Sequence, residues 1–223
     1  MNFTIFTLFP EMFPASLGHS IAGEALKTQK WAYTTVNIRD FGLTRHKNVD
    51  DTPYGGGAGM VIRADVLGAA IDSTPQMPLI YLTPRGTPLT QSKVQQLSQH
   101  KEIGIICGRF EGIDERILEH YNIEEISIGD YILSGGEPAA LILMDSIIRI
   151  LPDVLGNADT HTEESFSPQN NNLLEYPHYT RPLEWNGKKV PDVLQSGNHA
   201  EIAKWRKEKA LEITKKRRPD LLN

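Results

Sequence analysis

The chain has 223 residues, of which 39% are hydrophobic and 23% charged, and a net charge of −5. This is the composition of an ordinary globular protein. No apolar run is long enough for a membrane-spanning helix, and an intramolecular disulfide is excluded, since Cys107 is the single cysteine.

The start, MNFTIFTLFPEMF, has no basic residue ahead of its apolar segment and reads as a first strand over 2–9, not a secretion signal. A helix is expected over 16–27 and a strand over 32–39. Residues 41–59 break periodicity with Asp50, Asp51, Pro53 and the glycines Gly55, Gly56, Gly57 and Gly59. Then come a helix over 64–72, a strand over 78–82, a helix over 90–99 with Thr90 as its cap, a strand over 103–107, a helix over 114–120 and a strand over 125–128. Alternating strands and helices predict a parallel sheet with helices on both faces. The helix over 138–151 is apolar around its whole circumference, so a partner is expected to cover it. Residues 1–156 read as one α/β domain, 157–172 as a flexible linker containing SPQNNN, and 173–223 as a small helical domain. In the last, a helix over 198–216 starts at Asn198 and offers Ile202, Trp205 and Leu211 for a core.

Charge is unevenly spread. Residues 199–223 carry eight basic and four acidic side chains, a surplus of +4 against −9 elsewhere. Such a tail suits an anionic partner. YGGGAG could cradle phosphate with its amides, but it lacks the Gly-Lys-Ser/Thr ending of a P-loop and the Rossmann spacing. TPRG, CGRFEG and GDYILSGG fall where strands give way to loops. Three such loops at one sheet edge suit a pocket lined by backbone. No Cys/His spacing resembles zinc ligation, so no metal site is expected.

LFPEMF, VDDTPYGGGAGM, YLTPRG, CGRFEGIDER, SIGDYILSGGE, PHYTRP and SGNHAEIAKWR, in that order along the chain, resemble the TrmD family of bacterial tRNA (guanine-N1)-methyltransferases, of the SPOUT class. The resemblance implies a SPOUT-type α/β domain with a deep trefoil knot. It implies methyl transfer from S-adenosyl-L-methionine to N1 of the tRNA guanosine at position 37, in a cytoplasmic homodimer with composite active sites. Carried over by position, it assigns cofactor binding to Tyr81, Leu82, Thr83, Pro84, Gly108, Glu111, Ile128, Gly129, Asp130, Tyr131, Ile132, Leu133, Gly135 and Gly136. It puts Gly55, Gly56 and Gly57 near the bound target nucleotide, while Glu175, His178 and Arg181 read as an RNA-facing cluster and Lys215 and Arg217 of the basic tail as further tRNA contacts. Arg149 matches the arginine that steadies the guanine, and Glu164 the carboxylate that takes its proton. A divalent-ion requirement stays open. The chain departs from the family at Phe110, where many relatives have tyrosine, and at Pro138, which follows Glu137 directly. It departs again at Glu164 and Glu175, which replace aspartates. Glu163 and Glu175 are the competing carboxylates, and Glu163→Gln is expected to be nearly silent. The alternative reading is an RNA-binding protein of this fold without turnover.

Overall fold

In a computed structural model, which describes residues 1–43, 45–155 and 163–222, the chain divides into two compact units, Met1–Gly156 and Asn157–Asn223. The first is built on a five-stranded sheet in the order β2-β1-β6-β5-β7. Its strands are β1 (Asn2–Thr7), β2 (Ala32–Asn37), β5 (Leu79–Pro88), β6 (Glu102–Ile106) and β7 (Glu124–Ser127). Every pairing in it is parallel, as the strand–helix alternation predicts.

The central strands are apolar on both faces, the pattern of a sheet covered on both sides. Along β5, Ile80 and Leu82 face one core while Leu79 and Tyr81 face the other. The first core is closed by α1 (Ser20–Lys27), α3 (Gln91–Leu97) and α5 (Glu137–Ile148). The second is closed by α2 (Ala64–Asp72) and α4 (Glu115–Tyr121). Trp31 is 1% exposed, and its indole N–H donates to the Ala22 carbonyl at 2.8 Å, so its one polar atom is satisfied in the first core. Thr90 caps α3 as expected, its hydroxyl accepting from the Lys93 amide at 3.2 Å.

Four features differ from the sequence reading. TPRG does not end β5. The strand bulges after Leu82 and pairs again with β7 through Thr87 and Pro88. Gly86 permits this, because a Cβ there would lie 2.4 Å from the Ile126 amide nitrogen. The glycine-rich stretch is bracketed by a two-residue antiparallel pair, β3 (Asp50–Asp51) with β4 (Val61–Ile62), too short to give a period. The helix expected over 16–27 begins as a 3₁₀ turn at Ala15–Gly18, and α1 starts only at Ser20.

The fourth difference is in the second unit. Residues 163–172, expected as linker, are folded, while 157–162 lie outside the described residues. Buried Ser167 caps the 3₁₀ turn Pro168–Asn170, and Asn171 and Asn172 take left-handed conformations that asparagine tolerates. The polar run is thus turn chemistry and not a lack of structure. Beyond it are a hairpin, β8 (Glu184–Trp185) with β9 (Lys188–Lys189), and α6 (His199–Arg217). Asn198 caps α6, its side-chain oxygen accepting from the Ala200 and Glu201 amides. The core under α6 is made by Ala210, Thr214 and Leu173, whereas Ile202, Trp205 and Leu211 are only half-buried. Small residues let the 173–174 backbone approach, and the buried Thr214 hydroxyl accepts from the Leu174 amide at 2.9 Å.

Candidate active site

The bulge of β5 and the C-terminal ends of β6 and β7 surround a cavity of about 240 Å³. It is lined by residues 81–84, 108–112, 126–129 and 131–136 with Ala139. The lining includes every cofactor position implied by the resemblance except Asp130, which is exposed and outside it. The reason is local. The Tyr131 amide donates back to the Gly129 carbonyl at 3.0 Å, and this three-residue turn directs its middle residue outward.

Glycines let the walls close. Tyr81, 6% exposed, has its ring against Gly108 and Gly112, where added Cβ atoms would lie 2.8 Å and 3.2 Å from its hydroxyl. Burial raises the Tyr81 pKa, keeping the phenol protonated. A Cβ on Gly136 would lie 2.8 Å from Cys107 Cα, and the Gly136 amide donates to the Gly108 carbonyl at 2.9 Å. Two of the pocket's loops are thus joined backbone to backbone. Cys107 beneath them is a fully buried thiol whose pKa burial drives up, which makes it inert.

Arg109 was missed by the sequence reading. Its side chain lines the cavity yet is 19% exposed, and its Nε lies 2.8 Å from the fully buried carboxylate of Glu137. No spacing in CGRFEG signals an arginine paired in the cavity wall, because its partner comes from another element. Gly59 was missed as a contact. A Cβ there would meet Glu111 Oε1 at 2.5 Å, and the Glu111 amide donates to the Met60 carbonyl at 2.9 Å. The far end of the glycine-rich loop is therefore packed on the pocket wall. Its tip differs. Gly55, Gly56 and Gly57 all have positive φ, with open space around Gly55 and Gly56 and a fully exposed Tyr54 beside them.

Arg149 is not in this cavity. It is the C-cap of α5, whereas Gly136 and Ala139 of the cavity wall are at the other end of that helix. It lines a separate groove with Leu17, Ile21, Leu141, Ile142 and Val154, of which Ile21 is 50% and Ile142 48% exposed.

In the second unit, Glu164 is half-buried in the folded turn, its carbonyl accepting from the Ser167 amide at 3.2 Å. Around it the turn is pinned. The Phe166 amide donates to the Leu173 carbonyl at 3.0 Å, and the Glu175 amide to the Ser165 hydroxyl at 2.9 Å. Glu163 is no bystander. Tyr176 donates its hydroxyl to Glu163 Oε2 at 2.6 Å, and Arg206 reaches the same oxygen at 3.4 Å while covering the Tyr176 ring at 4.7 Å. Burial, then the Glu163 carboxylate, push the Tyr176 pKa up to about 12, so it remains a donor. His178 Nε2 is 2.9 Å from Glu175 Oε1. Arg181, Lys215 and Arg217 are exposed. Among the described residues no three His, Cys, Asp or Glu side chains gather to hold a metal ion, and no helix is long and apolar enough to cross a membrane.

Comparison with known proteins adds the family. The family model for tRNA (Guanine-1)-methyltransferase TrmD matches residues 1–223. The chain is 57% identical over 219 residues to the tRNA (guanine-N(1)-)-methyltransferase of Brucella ovis, covering 98% of this chain and 90% of that protein. It is 54% identical over 222 residues to the enzyme of the same name from Rhizobium johnstonii, again covering 98% and 90%. With its parallel α/β sheet and its loop-lined cavity, the chain belongs to the TrmD family of tRNA (guanine-1)-methyltransferases.

Proposed function

We propose that the protein transfers a methyl group from S-adenosylmethionine to N1 of the guanosine at tRNA position 37, as a homodimer whose sites draw on both copies. The observation that carries the composite site is the length of α5. Twelve residues separate Glu137, at the cavity end, from Arg149, and at 1.5 Å per residue that is about 18 Å along the axis. One copy cannot bring its own cavity and its own Arg149 to the same guanine. A second copy, packed against the groove that holds Ile21, Ile142 and Arg149, can deliver the missing cation.

The cavity fits the methyl donor by chemistry. Its loops approach through glycine, and its charged side chains are few, which suits a neutral-to-cationic ligand. Residues 81–84, 108–111, 128–129 and 131–136 would hold the donor, which supplies a methyl group already activated on a sulfonium. The chain has two further tasks. Guanine N1 carries a proton at neutral pH, and Glu164 takes it as the N1 lone pair becomes the nucleophile. Arg149 faces the guanine O6, where negative charge grows as the proton leaves, and a fixed cation there lowers the barrier. The folded turn that carries Glu164 supports this role, since a base must be held within hydrogen-bond reach.

Two experiments test the parts. Ile142→Asp puts a charge into the half-exposed apolar groove. Light scattering is expected to find the wild type at twice the 25.0 kDa chain mass and the variant at that mass without activity. A wild-type monomer that methylates tRNA would sink the dimer. Second, Lys215, Lys216 and Arg217 are exposed at the end of α6, and Arg218 pairs with Asp220 at 2.6 Å. Replacing the four with alanine is expected to weaken tRNA binding and flatten its log–log salt slope by about 0.7 to 0.9 per lost phosphate contact. Calorimetric binding of S-adenosylmethionine is expected to stay at the wild-type value. An equal fall in cofactor affinity would make this end of α6 structural.

A further inference from the structure

A buried charge is tolerated only when it is paired and its remaining atoms are satisfied. Glu137 is the first residue of α5 and is 0% exposed. Its Oε1 accepts from the Thr7 hydroxyl at 2.7 Å, and that hydroxyl accepts in turn from the Phe9 amide at 2.9 Å. Thr7, also 0% exposed, is the last residue of β1. The other carboxylate oxygen, Oε2, lies 2.8 Å from Arg109 Nε. That contact is ionic without hydrogen-bond alignment, so the guanidinium is held by charge and by what surrounds it.

What surrounds it is the pocket. The Arg109 guanidinium stacks 4.3 Å over the Phe9 ring, and its Nη1 donates to the Ser134 carbonyl at 3.3 Å. Its stem fills the space where residue 135 would carry a side chain, so that a Cβ on Gly135 would fall 2.3 Å from Arg109 Nε. Neither Thr7 nor Glu137 lines the cavity, but Arg109, Ser134, Gly135 and Gly136 all do. A continuous chain of contacts therefore runs from the end of β1 through the carboxylate to the guanidinium, and from there to the backbone of the third loop.

We infer that Thr7, Glu137 and Arg109 form a buried positioning relay that fixes the 134–136 backbone and thereby sets the affinity for the methyl donor, an inference that rests on the cofactor reading above. Glu137→Gln keeps the shape and removes the charge that holds Arg109. The arginine loses its counter-charge and is expected to turn toward the open cavity, dragging the Ser134 contact with it. Thr7→Val removes one hydrogen bond to the carboxylate, and Thr7→Ser restores it.

The test uses the full-length protein, with calorimetric titration of S-adenosylmethionine and amide exchange of residues 134–136 measured without it. Glu137→Gln is expected to weaken cofactor binding about tenfold or more, given what removing one partner of a largely buried ion pair costs, and to speed exchange at 134–136. Thr7→Val is expected to follow with a smaller loss, and Thr7→Ser to recover wild-type binding. The dissociation constant for tRNA is expected to stay within about twofold of wild type, since a backbone shift confined to this loop leaves the phosphate contacts in place. Wild-type cofactor affinity and wild-type exchange in Glu137→Gln would overturn the relay. If Glu137→Gln does not fold, the Thr7 pair decides: Thr7→Val with wild-type affinity overturns it, and a loss rescued by serine upholds it. The exchange measurement stands apart from the cofactor reading. A wild-type protein that binds no S-adenosylmethionine would end that reading, while faster exchange at 134–136 in Glu137→Gln would still show the relay holding the loop.

Discussion

Glu164→Gln is expected to lower single-turnover methylation by on the order of 10²-fold or more, the usual worth of a positioned base. Binding of tRNA and cofactor is expected to change little, because the substitution keeps size and removes only the proton acceptor. Glu164→Asp is expected to keep substantial activity, since the charge survives and one methylene of reach is lost. Glu163→Gln is not the silent neighbour that the residues alone suggest. It weakens the acceptor for Tyr176 and Arg206, which pins the start of the same turn. The Glu163 and Arg206 side chains are 56% and 41% exposed, so solvent screens the pair. A contact of that kind contributes about 1 kcal/mol or less, and the rate is expected to fall no more than about fivefold. A Glu164→Gln enzyme with the wild-type single-turnover rate across neutral pH would remove Glu164 from the chemistry.

The second large effect is expected from a change of one carbon. Gly136→Ala places a Cβ 2.8 Å from Cys107 Cα and 2.9 Å from the Gly108 nitrogen, both backbone atoms in the sheet-end wall. No side-chain rotation relieves that contact. The third loop must move away from the second, which breaks the bond from the Gly136 amide to the Gly108 carbonyl. Overpacking of this kind costs about 1–3 kcal/mol of stability, and an ångström-scale displacement at a binding wall is expected to cost on the order of 10²-fold in kcat/KM. Calorimetry should show weakened S-adenosylmethionine binding by a protein that still melts cooperatively. Wild-type cofactor affinity would mean that the wall yields where the geometry says it cannot.

The architecture was legible in the residues where a physical signal is local. The both-sided apolar runs of β5 and β6, the capping side chains of Thr90 and Asn198, and the polar loops at strand ends all act within a few residues. The parallel α/β sheet followed from these and from their alternation. What was not legible depends on distant partners. Arg109 reaches into the cavity wall because Glu137 pairs with it, and the fully buried Glu137 accepts from Thr7, 130 residues earlier in the chain. The β3–β4 pair is too short to show alternation. SPQNNN was read as unstructured because the asparagines that build left-handed turns are also those of solvated linkers. The contacts of Glu163 are hidden in the sequence because Tyr176 and Arg206, its two partners, are close to it only in the folded unit.

The glycine-built wall of the cavity has a consequence for how the protein can change. Backbone amides and carbonyls belong to every residue type, so much of what a ligand meets at Gly108, Gly129, Gly135 and Gly136 is not encoded by side-chain identity. Substitutions that would alter this surface collide at once. An added Cβ falls 2.3 Å from Arg109 Nε at position 135, and at position 129 a φ of +146° strains any side chain. Drift is therefore channelled to the rim, to positions such as the exposed Phe110, where a hydroxyl can be gained or lost cheaply. A competitive inhibitor that draws its hydrogen bonds from this wall leaves the protein few single-residue routes to resistance.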